Sequence, residues 1–140
     1  MAAAIVIESS TDISGKWWGM KRNTQFSIRS RLESFAHAFQ GLGDMIRSEH
    51  NAWIHALATV SALGVAWHFG VSGVGFALIL TAIVIVWVAE AFNTVLEIMA
   101  DLVVGERYSK SVKRAKDIAA AGVLIASVGA IGIGVAVLFF

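Results

Sequence analysis

Five polar side chains recur at helical spacing in the last third of a long apolar run. The stretch EAFNTVLEIMAD begins at residue 90 and directly follows VGFALILTAIVIVWVA. At 100° per residue all five fall within an arc of about 100° on one helix face. A carboxylate that faces lipid costs on the order of several kcal/mol, so this face is predicted to meet protein, water or a bound cation. The members of this polar stripe are Glu90, Asn93, Thr94, Glu97 and Asp101.

More polar side chains stand where the two neighbouring apolar runs begin. They are Glu49, Asn51, His55, Lys116 and Asp117. Carboxylates, an amide and a lysine at one level of a membrane suit a site for Mg²⁺ and phosphate, because Mg²⁺ prefers oxygen ligands and often shares substrate phosphates with one or two carboxylates. The chain has no GxxxxGK[ST] sequence, so a P-loop nucleotide site is excluded.

The composition excludes several classes of protein. Hydrophobic residues make up 57% of the 140 residues, and the mean hydropathy is +0.73, which is too apolar for an ordinary soluble domain. A net charge of +1 gives no support to bulk nucleic-acid binding. The absence of cysteine excludes a disulfide framework, a thiolate zinc site and a thiol nucleophile.

Three continuous apolar runs are far too long for strands and predict an all-α integral membrane protein. The expected spans are residues 53–69, 74–100 and 118–140. Residues 29–49 carry apolar side chains at helical spacing and predict an amphipathic helix at the membrane surface. Residues 1–28 read as a weakly ordered polar leader, which leaves 29–140 as the membrane domain.

Basic residues set the expected orientation. All 11 lie either before the first span or between the second and third spans. The connection at 70–75 and the C-terminus have none, so the positive-inside rule places the N-terminus and the 101–117 loop in the cytoplasm and the C-terminus outside. Because one three-span chain offers little surface to cover the polar stripe, self-association is also expected.

Three motifs in this chain resemble the prokaryotic diacylglycerol kinase family, whose Gram-positive-type members are undecaprenol kinases. They are ExxNTxxExxxD at 90–101, ExNxxIH at 49–55 and AKDxAAAxVL at 115–124. The resemblance covers about 29–140. It implies a small multi-pass kinase of the inner or plasma membrane that forms a homotrimer, with active sites shared between neighbouring chains. It also implies direct phosphoryl transfer from MgATP to a membrane lipid alcohol at the cytoplasmic interface.

The resemblance further implies a role for each matching residue. Glu90 is the expected base that accepts the lipid hydroxyl proton, and Asn93 positions that hydroxyl or the γ-phosphate. Glu49 and Glu97 are the expected ligands of the Mg²⁺ that accompanies ATP. The expected nucleotide contacts are Glu49, Glu97, Asp101, Glu106, Lys116 and Asp117. The expected contacts with the lipid substrate are Asn51, His55 and Glu90.

The choice of lipid and two rival functions stay open in the sequence. The arrangement of Asn51 and His55 is more similar to undecaprenol kinases, so undecaprenol is the favoured acceptor and diacylglycerol the alternative. A distant alternative is a non-enzymatic membrane assembly subunit whose polar stripe holds chains together. An ion or proton pathway is disfavoured, because it needs polar groups through the whole membrane and the outer half of the spans has no ionisable residue except His68.

Overall fold

The computed structural model describes residues 27–105 and 107–140, and all regular secondary structure in these residues is helical. The four helices follow the predicted order. They are α1 (Ile28–Ser48), α2 (His50–His68), α3 (Gly73–Val104) and α4 (Lys110–Phe139). The prediction of an all-helical chain is therefore confirmed. The predicted leader lies almost entirely outside the described residues.

The chain divides between Ala36 and His37 into two structural units. The described part of the first unit is the beginning of α1. The second unit contains the rest of α1 and the other three helices, and it carries every described residue of the candidate site.

A single extended residue separates α1 from α2. Glu49 has φ −103° and ψ 119°, and it occupies the N-cap position of α2. Its backbone N–H still donates to the carbonyl of Met45 at 3.0 Å, so α1 is closed before the chain changes direction. The break therefore places the Glu49 carboxylate at the very start of α2.

The connection between α2 and α3 is a tight turn. Gly70 has φ +59°, a left-handed conformation that glycine adopts without steric cost. Ser72 then caps α3, since its hydroxyl accepts a hydrogen bond from the backbone N–H of Gly75 at 3.1 Å. The predicted connection within 70–75 is thus the turn plus the first residues of α3.

Helices α3 and α4 extend beyond the apolar runs that predicted them. Helix α3 continues to Val104 and ends at Gly105, which has φ +56°. Helix α4 begins at Lys110, where the Ser109 hydroxyl accepts from the backbone N–H of Val112 at 3.4 Å. Charged side chains in a helical turn do not interrupt the backbone ladder, so hydropathy marks the apolar part of each helix and not its ends.

Helix α3 is the central helix of the second unit. It packs extensively along α4 and over a shorter stretch against α2. Its buried apolar positions are small or medium in size, which allows close approach of the helices. At Gly75 the two helices are so close that a Cβ added to this glycine would lie only 2.7 Å from Cγ1 of Val137 on α4. The buried apolar side chains of α3 are Ile79, Ala82 and Val86.

Two of the described helices, α3 and α4, are long and apolar enough to cross a membrane. Helix α2 has 19 residues and so extends about 28 Å, close to the roughly 30 Å of a bilayer core. It has no stretch as apolar as the membrane-length stretches of α3 and α4, and its spanning of the membrane stays a prediction.

Candidate functional site

The polar stripe runs from a buried to an exposed environment along α3. Glu90 is fully buried, and Asn93 and Thr94 are only 4% and 8% exposed. Glu97 is half-buried and Asp101 is exposed. From Glu90 to Asp101 the helix advances about 16 Å. The stripe therefore connects the interior of the helix packing with the surface near the end of α3.

The Glu90 carboxylate has one close ionisable neighbour in the described structure, the imidazole of His55. His55 Nε2 lies 3.6 Å from Glu90 Oε2, and the His55 side chain is 13% exposed. Neither carboxylate oxygen of Glu90 has a hydrogen-bond partner among the described residues. Buried polar atoms are normally hydrogen-bonded, so two unpartnered oxygens on a fully buried carboxylate are unusual and mark Glu90 as a candidate functional residue.

Asn93 and Glu97 are joined by a side-chain hydrogen bond one helical turn apart. Asn93 Nδ2 donates to Glu97 Oε1 at 3.0 Å, which leaves the second carboxylate oxygen of Glu97 outside this bond. The Asn93 Oδ1 atom and the Thr94 hydroxyl are buried without a partner in the described part of the chain. The amide is thus oriented by Glu97 and presents an acceptor oxygen beside Glu90.

A cluster of charges surrounds the outer end of the stripe. Lys116 Nζ donates to both carboxylate oxygens of Asp101, at 2.9 and 3.2 Å. The charges of Glu97 and Glu49 also act on Lys116, and both act on Glu90 as well. The start of α2, the stripe on α3 and the start of α4 therefore lie near one another, and the roles expected of these residues stay predictions.

Not every predicted site residue is brought into this cluster. Asp117 pairs instead with Lys113 on its own helix, where Nζ and Oδ2 are 2.6 Å apart. Asn51 is exposed on the first turn of α2. Glu106, a predicted nucleotide contact, lies outside the described residues.

The single chain itself buries the deep part of the polar stripe. Glu90, Asn93 and Thr94 are covered within one chain, contrary to the expectation that it has too little surface to hide them. The small side chains of the packed helices let α2 and α4 approach α3 closely enough. Burial of these three residues is consequently no argument for self-association, which stays a prediction.

An apolar groove begins next to His55 and continues along α2, α3 and α4. It encloses about 450 Å³ and its walls are almost entirely apolar. Its lining includes Ile54, His55 and Thr59 of α2, Val86 of α3 and Leu138 of α4. Its polarity suits a hydrocarbon chain, and His55, which lies 3.6 Å from Glu90, connects the groove with the polar stripe.

The predicted Mg²⁺ ligands are compatible with a metal that enters with phosphate. Within residues 27–105 and 107–140, no group of three acidic or histidine side chains forms a ready-made metal site. Mg²⁺ is commonly bound by one or two carboxylates together with substrate phosphates, and Glu97 keeps an oxygen outside its bond to Asn93. The donor set fits shared coordination and does not form a closed protein cage.

Two residues beside the site were not identified from the sequence. The indole Nε1 of Trp87 donates to the hydroxyl of Thr59 at 3.0 Å, which joins α3 to α2 next to His55. Both residues sit in apolar runs, where a tryptophan and a threonine are ordinary. The available signal was spacing alone, since Trp87 precedes Glu90 by three positions and Thr59 follows His55 by four.

A family model described as prokaryotic diacylglycerol kinase matches residues 36–138. A curated relative from Synechocystis sp., named diacylglycerol kinase, is 30% identical over 115 residues, which are 82% of this chain and 66% of the relative. The chain thus spans slightly less than two thirds of that relative's length. Since the family model covers most of the sequence, and its match contains the polar stripe and the charged starts of α2 and α4, the chain belongs to the prokaryotic diacylglycerol kinase family.

Proposed function

We propose that this protein is a lipid kinase, which transfers the γ-phosphoryl group of ATP to the hydroxyl of a membrane lipid in the presence of Mg²⁺. The observation that carries the proposal is the buried Glu90 carboxylate, whose oxygens have no hydrogen-bond partner in the described structure and whose neighbour His55 lines an apolar groove. A base for a lipid alcohol needs this combination, because the hydroxyl must reach the carboxylate while its hydrocarbon stays out of water. Family membership supports the same activity.

The proposed reaction is a direct transfer. The lipid hydroxyl oxygen forms a bond to the γ-phosphorus as the bond from that phosphorus to the bridging oxygen of ADP breaks, and the hydroxyl proton passes to Glu90. Asn93, oriented by its hydrogen bond to Glu97, positions the hydroxyl or the γ-phosphate. Phosphoryl transfer depends mainly on alignment and on charge neutralisation, so these residues need supply little covalent chemistry.

The nucleotide is proposed to bind at the exposed end of the polar stripe. Lys116 supplies a positive charge for the phosphates once its pairing with Asp101 is exchanged for them. Glu49 and Glu97 would hold the Mg²⁺, which would neutralise phosphate charge. Asp117 and Glu106 are retained as predicted nucleotide contacts from the family resemblance.

The acceptor lipid is proposed to be diacylglycerol, with undecaprenol as the second candidate. Diacylglycerol is the lipid named in the family description and in the name of the Synechocystis relative. Undecaprenol was favoured by the positions of Asn51 and His55. His55, however, faces Glu90 at 3.6 Å and Asn51 is exposed, so these two residues give undecaprenol no further support.

The quaternary structure and the membrane placement belong to the same proposal. We propose a homotrimer with active sites shared between neighbouring chains in the inner or plasma membrane. The many large apolar side chains exposed on α2, α3 and α4 support contact with lipid or with other chains. Native mass spectrometry from detergent is expected to give a complex of three 14.9 kDa chains, and an active monomer would contradict the trimer.

The deciding experiment is transfer of radiolabelled phosphate from ATP in mixed micelles that contain Mg²⁺ and one lipid at a time. The wild-type protein is expected to label diacylglycerol faster than undecaprenol. Glu90→Gln keeps the shape of the side chain but cannot accept the proton, and its rate is expected to fall by about 10²- to 10⁴-fold. Asp44→Asn, on an exposed position of α1, is the matched control with unchanged activity.

Each alternative gives a different result. Faster labelling of undecaprenol reverses the order of the two lipids and keeps the kinase. If neither lipid is labelled by a folded, oligomeric wild-type protein, the kinase proposal is wrong, and the polar stripe is then an assembly device. An assembly subunit also predicts that Glu90→Gln leaves function intact, because the amide retains hydrogen-bonding capacity.

A further inference from the structure

Four side chains form two contacting pairs across the α2–α3 contact, with one member of each pair on either helix. His55 and Thr59 are four residues apart on α2, and Trp87 and Glu90 are three apart on α3, so each pair lies on one face of its helix. The structure brings the two faces together in register. Thr59 meets Trp87 at one level, and His55 meets Glu90 at the next.

Trp87 contacts both residues of α2. Its indole Nε1 donates a 3.0 Å hydrogen bond to the Thr59 hydroxyl. Its ring also lies against the imidazole of His55 in an edge-to-face arrangement, with ring centroids 6.4 Å apart and planes at 61°. The hydrogen bond fixes the rotation of the indole, and the indole limits the rotation of the imidazole that points Nε2 towards Glu90.

We propose that Trp87, oriented by Thr59, is a positioning residue that holds the His55 ring against the Glu90 carboxylate. It touches no reacting atom and acts through His55. His55 Nε2 lies 3.6 Å from the Glu90 carboxylate, which is buried and lacks a hydrogen-bond partner in the described structure, so a shift of the imidazole alters the surroundings of its oxygens. The catalytic part of this inference rests on the proposed function of Glu90 as the base.

The experiment compares variants of the full chain that remove one end of the Thr59–Trp87 hydrogen bond. Thr59→Val keeps the shape of threonine and removes the acceptor, while Trp87→Phe keeps an aromatic ring and removes the donor. Each is expected to lower kcat for lipid phosphorylation about tenfold or more, since small misplacements near reacting groups cost up to about 10²-fold. The KM for MgATP is expected to stay unchanged. Thr59→Ser keeps the hydroxyl acceptor, so its kcat is expected to equal that of the wild type.

A double-mutant cycle separates this role from general loss of packing. Both variants remove the same contact, so the double variant is expected to lose no more activity than either single one. Matched controls on the same helices are Trp67→Phe, at an exposed tryptophan, and Thr81→Val, whose hydroxyl bonds only its own helix at the Ala77 carbonyl. Both controls are expected to behave as the wild type.

A spectroscopic measurement tests the positioning without activity. In ¹⁵N NMR spectra of the protein in detergent micelles, Thr59→Val is expected to move the Trp87 indole N–H signal and the ring nitrogen signals of His55. If the His55 signals and kcat are both unchanged in Thr59→Val, the inference is overturned. If the His55 signals move but the wild type phosphorylates no lipid, the kinase proposal fails and the positioning of His55 by Trp87 stands.

Discussion

The buried part of the polar stripe contains several polar atoms that no described residue hydrogen-bonds. Both oxygens of Glu90, Oδ1 of Asn93 and the Thr94 hydroxyl are buried without partners in the described residues. Such atoms destabilise a fold, and their concentration on one helix face beside a groove is typical of a binding site that a ligand completes. Replacing one of these unpartnered atoms by an apolar group therefore tests whether it serves ligand binding at the expense of stability.

Thr94→Val exchanges the unpaired hydroxyl for a methyl group of similar size. The variant is expected to be more stable to thermal unfolding in detergent by roughly 1 kcal/mol, because the cost of burying the hydroxyl is removed. Its lipid kinase activity is expected to fall, because a ligand loses a hydrogen bond. Differential scanning fluorimetry and the radiolabel assay measure the two effects. A variant that is less stable would show that the hydroxyl has a partner in the working protein.

Lys116 is expected to act on nucleotide binding and hardly on stability. Its pair with Asp101 is partly exposed, and pairs of that kind contribute little to the stability of a fold. Lys116→Met is therefore expected to unfold like the wild type but to raise the KM for MgATP about tenfold or more, since the phosphates lose a charge-assisted hydrogen bond. Lys110→Met, at the exposed first residue of α4, is the control, and an equal rise in its KM would contradict a specific role for Lys116.

At the scale of the helices, close packing of α3 against its neighbours brings the site residues together. Glu90 meets His55 across the α2–α3 contact, and Asp101 meets Lys116 across the α3–α4 contact. Both pairs depend on the axial offset between helices, which short side chains at the interfaces permit. Among the described glycines of α3 and α4, Gly75 is the one where an added Cβ would meet the other helix.

Gly75→Ala is expected to weaken the α3–α4 contact. The added Cβ would lie 2.7 Å from Cγ1 of Val137, so either the Val137 side chain, which is stiff in a helix, or one of the helices must shift. Overpacking of this kind costs about 1–3 kcal/mol, which outweighs the roughly 1 kcal/mol that alanine gains over glycine in a helix. Thermal unfolding measures the loss. The double variant with Val137→Ala is expected to recover stability, and no recovery would place the strain elsewhere.

At the scale of the whole molecule, the distribution of basic residues makes a prediction about orientation. The turn between α2 and α3 has no basic residue, whereas the segment that begins α4 is rich in them. The proposed site lies at the basic side, which the positive-inside rule places in the cytoplasm where ATP is available. The predicted orientation and the proposed chemistry thus agree.

Cysteine labelling tests this orientation, and the chain has no native cysteine to interfere. Gly73→Cys, at the exposed start of α3, is expected to react with a membrane-impermeant maleimide in intact cells. Ser111→Cys, at the exposed start of α4, is expected to react only after the membrane is opened. The reverse pattern would place the candidate site on the side of the membrane without ATP.

Local sequence patterns predict the helices, their order and the polar face of α3. Hydropathy and a period of 3.6 residues are local properties, so they locate an apolar helix and show that Glu90, Asn93 and Glu97 share one face. They do not locate the helix ends, because the charged first turns of α4 form the same backbone hydrogen bonds as the apolar turns that follow.

The packing of the helices on one another sets which side chains are in contact, and local sequence patterns do not predict it. The pairing of Asp101 with Lys116, the approach of His55 to Glu90 and the hydrogen bond between Thr59 and Trp87 all depend on how adjacent helices are rotated and shifted. No periodicity within one helix contains that information, because rotation and axial shift follow from packing across two surfaces at once. Burial of the deep stripe within one chain is a result of the same packing.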